Sequence, residues 1–377
     1  MGLQGSSDVI VLGLGGMGSA AAMHLAQRGA RVLGFDRFGP AHDRGSSHGE
    51  SRLIRQAYFE SPAYVPLLKR SYELWDELAL ASGRSLLHRT GLILLGRRVT
   101  TATAIAREFG IAIEELSSAE TRARFPSLRV DDDLVGLFEP GAGWLAVESC
   151  VQGHLDAATR AGALFHFDEP AMAWRVDETT GTVEVETARG RYGAATLVIA
   201  GGAWAPSLLA ELRLPLRAHR VVQMWFEAGA RHTAPCFAFD LAEGFFYGFP
   251  RTGGRVKVAE HAARHPVDAP EAVRREITGE DLERVEAFVR ERLPGLRTPC
   301  IDAKTCMYTM TPDEHFVIDV HPRHSQVCFA AGFSGHGFKF SAVVGEILAD
   351  LALEGRARWD IGFLRQAGRP FEATPTP

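Results

Sequence analysis

The sequence predicts an α/β plus α+β chain: a Rossmann-like dinucleotide-binding domain on a parallel sheet, with a second, mainly antiparallel-sheet lobe inserted into it. Three observations predict this. Between Asp8 and Asp36 an apolar run, a glycine triplet, a helix-forming stretch and an acid follow in the order of a βαβ nucleotide site. Two later apolar runs, 196–200 and 327–331, also lead into glycine. From 218 to 299 strand-like segments separated by turns replace that pattern.

Taking the elements in order, Val9 to Leu12 suits a strand covered on both faces, and Ser19 to Arg28, rich in Ala and Leu, suits a helix. At their junction Gly13, Gly15 and Gly18 have separate tasks: a tight turn, close backbone approach to a diphosphate, and close packing of helix on strand. The diphosphate would rest on the unpaired N–H groups of the helix start. Asp36 ends the next strand, where a ribose hydroxyl needs an acceptor. The triplet alone does not separate a nicotinamide from a flavin dinucleotide.

Residues 39–55 are dense in Gly, Ser, Arg and His and cannot build a core, so they read as a loop wrapped around a charged ligand. Arg52 and Arg55 would point the same way if the stretch were helical. From Pro62 to Ser82 apolar residues recur at helical spacing. Leu92 to Leu95 is a strand, Asp131 to Asp133 a solvated corner, and Val147 to Ala161 a helix. Ala173 to Thr187 reads as a hairpin around Thr180 and Gly181. Thr196 to Ala200 is a second strand of the dinucleotide sheet, with a helix over Ala205 to Leu212 behind it. Strands at 221–226, 244–250 and 255–261 form the antiparallel lobe, with Glu280 to Leu293 a helix outside it. Val327 to Gly332 and a helix from Phe340 to Leu353 close the chain. The dinucleotide domain is therefore expected at 1–88, 145–217 and 305–377, and the inserted lobe at 89–144 and 218–304.

A chain of 377 residues accommodates both units. With 41 Lys plus Arg against 46 Asp plus Glu the formal charge is -5, so neither nucleic acid nor an anionic membrane is an expected partner. There is no apolar run of about 18 residues and no basic-then-apolar leader, and a reducing cytoplasm is the expected compartment. Cys150, Cys236, Cys300, Cys306 and Cys328 are scattered, without a paired or His-clustered spacing, so no disulfide framework or metal site is expected.

Five segments carry a resemblance: Gly45-Ser-Ser-His-Gly49, Arg52-Leu-Ile-Arg55, Tyr247-Gly-Phe-Pro250, Cys306 to Glu314, and Gly332 to Lys339. In these, and over nearly its whole length, the chain resembles the monomeric sarcosine oxidase family of amine-oxidising flavoenzymes, which includes N-methyltryptophan and peroxisomal sarcosine/pipecolate oxidases. The resemblance implies a monomer with FAD in the dinucleotide domain, joined through a thioether to Cys306. A thiolate is the nucleophilic form and neighbouring positive charge favours it; Lys304 is near in sequence. The other four cysteines read as small buried hydrophobes.

It further implies that a small secondary amino acid is oxidised to an imine, with oxygen reduced to peroxide. Arg55 and Lys339 match the carboxylate grip, a bidentate fork and a point charge. Tyr247 and His261 match the aromatic and imidazole walls of the amine pocket. Lys257 matches the lysine that assists the oxygen reaction as a cation, and Arg52 and His48 match positions where positive charge faces the flavin ring. The implied cofactor contacts begin with Gly13, Gly15, Gly16, Met17 and Gly18, and continue through Asp36, Arg37, Ser46 and Ser47. Gly332, Gly335, Gly337 and Lys339 complete them, with backbone N–H donors before a helix. Ser47 replaces a second histidine found in many relatives, which leaves the preferred amine open among sarcosine, N-methyltryptophan and cyclic amines such as pipecolate. A same-fold dehydrogenase with another electron acceptor, or a redox sensor without catalysis, are the rival readings.

Overall fold

A computed structural model describes residues 5–367 and 369. Its first sheet is centred on Gly5–Leu12, flanked in parallel by Val32–Phe35 and by Gly190–Ile199. Leu164–His166 extends one side, and Val327–Ala331 the other. These strands run the same way because helices cross between them, and Val9 to Leu12 are fully buried as a two-sided strand requires. An antiparallel hairpin, Ala171–Val176 with Val183–Thr187, pairs with the first half of the Gly190–Ile199 strand. The expected helix over Ala205 to Leu212 is shorter, Ala205–Leu208 followed by a 3-10 turn at Ala210–Leu212.

The Gly16–Gln27 helix is buried over most of its length, between the Val147–Arg160 and Ser341–Glu354 helices. Small residues permit this. A Cβ on Gly345 would come 2.5 Å from Ala20, so the two helices cross nearly backbone to backbone.

The second sheet has nine strands, antiparallel apart from Leu92–Gly96 beside Cys236–Leu241. Its longest pairing joins Arg217–Ala228 to Leu296–Met310. That second strand was not foreseen as one element, and it runs unbroken across 304 and 305, between which the sequence reading divides the two lobes. The Gly279–Arg292 helix covers the sheet through Val285, Phe288 and Val289, with Phe288 stacked on Phe246 at 4.4 Å; burying such a ring stabilises by roughly 1.5–3 kcal/mol. A buried Arg220–Asp281 pair joins that helix start to the long strand pair.

Residues 51–54, which a helix would have put on one face, form a strand instead, Ser51–Ile54, paired with Gly143–Ala146. Arg55 lies just past its end and is not bound by strand alternation. At the expected acidic corner Asp131 meets Arg292 at 2.5 Å, while Asp132 is almost fully exposed. The parallel strands of the first sheet all end on one side. Gly13, Asp36, Ala200 and Gly332 follow directly there, the edge at which such sheets bind ligands.

Candidate active site

A cavity of about 480 Å³ follows that edge. Its walls include Gly13, Gly15, Gly16, Met17, Asp36 and Arg37 at one end. Ser46, Ser47, Arg52, Gly332, Gly335 and Gly337 form the other. Gly18 lies beneath the loop: a Cβ there would sit 1.7 Å from the Gly13 carbonyl oxygen, so only glycine lets the helix seat. Gly13 has φ +87°, and its Cβ would strike the Ala200 carbonyl at 2.5 Å. A Cβ on Gly15 would meet only Ser47 Oγ, at an ordinary 3.6 Å, which leaves the space in front of the helix open.

Asp36 accepts the N–H of Leu14 at 2.7 Å and of Phe38 at 2.9 Å, so its carboxylate shapes the glycine loop as well as facing the cleft. Ser47 Oγ accepts the Gly16 N–H at 3.1 Å, taking one donor of the helix start. Arg37 pairs with Glu271 at 3.1 Å beside Trp204.

A second cavity of about 330 Å³ shares Arg52, Tyr308, Gly335 and Phe338 with the first. It brings together Arg55, Tyr247, His261 and Lys339, from four separated segments. Arg55 does not present an empty fork. Its Nη2 donates to both carboxylate oxygens of Glu60, at 2.6 and 2.8 Å, its Nη1 donates to Ala57 O at 2.7 Å, and it stacks on Phe59. Burial alone would raise the Glu60 pKa, but Arg55 above all, with Lys339, outweighs it and holds Glu60 at about 2.

Burial, with the neighbouring Arg55, lowers Lys339 to about 7, and its Nζ donates to His336 O at 2.7 Å. Lys339, expected on both the cofactor and the substrate side, lines only this second cavity. His261 is neutral, lowered by burial to about 4, and its Nδ1 meets the Tyr308 hydroxyl at 3.2 Å. His336 is likewise lowered by burial to about 3 and hydrogen-bonds Tyr58 through Nδ1.

Two expected cations behave differently. His48 is buried, and burial followed by Arg52 and Lys257 lowers it to about 3, so Arg52 supplies the positive charge that was expected of both. Among the described residues neither ring nitrogen of His48 has a hydrogen-bond partner. Lys257 donates to Gly49 O at 2.6 Å and Ser51 O at 2.8 Å; burial and then Arg52 press its pKa well below the lysine range. It lines neither cavity but a third, of about 270 Å³, with Trp144, Trp225 and Phe249.

Cys306 is buried on the long strand opposite Val221. Arg52 Nη2 lies 3.4 Å from its sulfur, and the thiol donates to Ser46 O at 3.7 Å. It adjoins the first cavity through these two lining residues. The neighbouring cation is thus Arg52, while Lys304 faces the Trp225 ring at 5.5 Å. All five cysteines are free; burial raises Cys236 and Cys328 to about 12.

Sequence reasoning missed Glu60, Tyr308 and Glu148. Tyr308 stands two residues from Cys306 on one strand, hence on the same face. Glu148 fixes the loop that holds Lys257, accepting the Gly49 N–H at 2.7 Å. An acid five residues after Arg55 was the available signal for Glu60.

The residues present fit a dinucleotide with a flat ring: a cleft along the strand ends, a glycine loop open in front, and Arg52 lining the cleft while touching the Cys306 sulfur; His48 lines neither cavity. A family model described as FAD dependent oxidoreductase matches residues 8–351. A monomeric sarcosine oxidase of Streptomyces avermitilis is 46% identical over 371 residues, covering 94% of this chain and 96% of the relative. An N-methyl-L-tryptophan oxidase of Salmonella agona is 35% identical over 365 residues, covering 94% and 96%. Among solved structures, the open form of NikD, an amino acid oxidase of nikkomycin biosynthesis, superposes with a TM-score of 0.87 at 25% identity, covering 96% of this chain and 98% of that one. Among the described residues no helix is long and apolar enough to cross a membrane.

Proposed function

The chain belongs to the FAD dependent oxidoreductase family, and from that premise we propose that it oxidises secondary, N-methyl α-amino acids such as sarcosine. FAD, when bound, supplies the acceptor for a hydride equivalent from the amine and the reaction with dioxygen that yields hydrogen peroxide. One observation carries the reading: the cleft along the glycine loop meets, at a shared wall, a cavity holding two buried basic side chains, Arg55 and Lys339.

Gly13 to Met17, Asp36, Arg37, Ser46, Ser47 and the 332–337 turn would hold the cofactor, with Cys306 its covalent anchor. Arg52 puts its charge beside that sulfur and beside the cleft. On the amine side the substrate carboxylate would take over the Arg55 fork from Glu60, with Lys339 adding its charge. Neutral His261, joined to Tyr308, lines the amine side as a hydrogen-bonding ring without adding a cation near the amine. Lys257, a fixed donor on the Gly49 and Ser51 carbonyls, is read as the cation that assists oxygen reduction, against the lowering of its pKa by burial. The protein is read as a cytoplasmic monomer.

Acid precipitation tests the anchor: colour should stay with the wild-type polypeptide and leave Cys306→Ser, and colour retained by the variant removes the assignment. In stopped flow, Lys257→Met should slow reoxidation by about a hundredfold and anaerobic reduction far less; equal slowing of both half-reactions contradicts the role.

A further inference from the structure

The amine-side cavity holds a guanidinium for which the carboxylate grip has no use. Arg98 stands at the start of the Val99–Glu108 helix, just past the Leu92–Gly96 strand, and lines the cavity with Arg55, His261 and Lys339. Its guanidinium carbon lies 4.9 Å from the centre of the Phe59 ring and 5.3 Å from that of Phe245. Two aromatic faces thus hold the group while leaving its N–H donors unspent. The Phe59 ring also carries Arg55, at 3.9 Å. Arg98 bears on His261 as well, helping to keep that ring neutral.

Its ion partner is Asp240, 3.7 Å from Nε, and Asp240 is already bound by Arg97 at 2.7 and 3.2 Å. Of the lining cations, Arg52 donates to carbonyls, Arg55 to Glu60 and Lys339 to His336 O. Among the described residues Arg98 alone of these keeps both terminal nitrogens without a hydrogen bond. The lining acids are mostly engaged: Glu60 by Arg55, Asp313 by Arg369 at 2.6 Å, leaving Glu314 beside His315. The cavity also has room beyond the smallest N-methyl amino acid.

We propose that Arg98 is a specificity-determining subsite for a second carboxylate, so that the preferred substrates are N-methyl α-amino acids whose side chain ends in an acid. This rests on the oxidase reading above. In the wild-type holoenzyme, kcat/KM for N-methylglutamate should exceed that for N-methylglutamine about tenfold. Arg98→Met should bring the ratio to about one, and Arg98→Lys should restore part of it. Equal rates in the wild type, a preference for Nα-methyllysine, or a ratio unchanged in Arg98→Met would overturn the proposal. Calorimetry with glutarate and pentanoate separates the two readings. A glutarate advantage that Arg98→Met abolishes, in an enzyme that oxidises no N-methyl amino acid, keeps the subsite and removes the oxidase. Sarcosine turnover with no glutarate advantage removes the subsite alone.

Discussion

The two cavities that meet at Arg52, Tyr308, Gly335 and Phe338 are built from opposite materials. The dinucleotide cleft takes its shape from backbone: Gly18 leaves no room for a Cβ, and Asp36 ties the glycine loop down by two N–H bonds. The amine-side cavity takes its character from side chains whose charges check one another. Glu60 fills the Arg55 fork, Lys339 is lowered to about 7, and His261 and His336 are neutral. One region is finished before a ligand arrives; the other holds an internal carboxylate where a substrate's would go.

The largest expected effect breaks the rigid side. Gly18→Val puts a side chain into the Gly13 carbonyl, which should cost about 4 kcal/mol or more and leave no soluble yellow protein; a normal melting temperature and spectrum would refute the backbone account. Next comes the charged side. Arg55→Met strands the Glu60 carboxylate, so stability should fall by about 3 kcal/mol and KM for sarcosine should rise about a hundredfold. Glu60→Gln should instead lower KM, because it removes the resident competitor.

A smaller effect comes from Lys339. Its cation is present below pH about 7 and lost above it, so the affinity for a carboxylate inhibitor should decline by up to about tenfold as pH rises through 7. Lys339→Met should abolish that limb. The smallest lies outside both cavities: Asp132→Ala, on an almost fully exposed side chain, should leave melting temperature and KM unchanged.

The same contrast decides what the sequence discloses. Gly13, Gly15, Gly18 and Asp36 act through local geometry within one βαβ unit, so their spacing reveals them. Arg55 was legible as a carboxylate-binding type, but its engagement with Glu60 depends on how the chain turns after the Ser51–Ile54 strand. The charge of His48 was misread because desolvation, which no residue pattern displays, drives it to about 3. Lys304 is two residues from Cys306 in sequence, yet Arg52, from a strand of another sheet, is the cation against the sulfur. Arg98 gave no signal at all, because an arginine at a helix start is ordinary until Phe59 and Phe245 are seen around it.

The central claim, that this chain passes electrons from a secondary amino acid through bound FAD to oxygen, is tested most directly by adding sarcosine to the purified holoenzyme without oxygen and then admitting air. The visible flavin absorbance should bleach and then recover, with hydrogen peroxide formed in amounts equal to the amine consumed. An unchanged spectrum with every N-methyl amino acid tried, or recovery only with an acceptor other than oxygen, would contradict it.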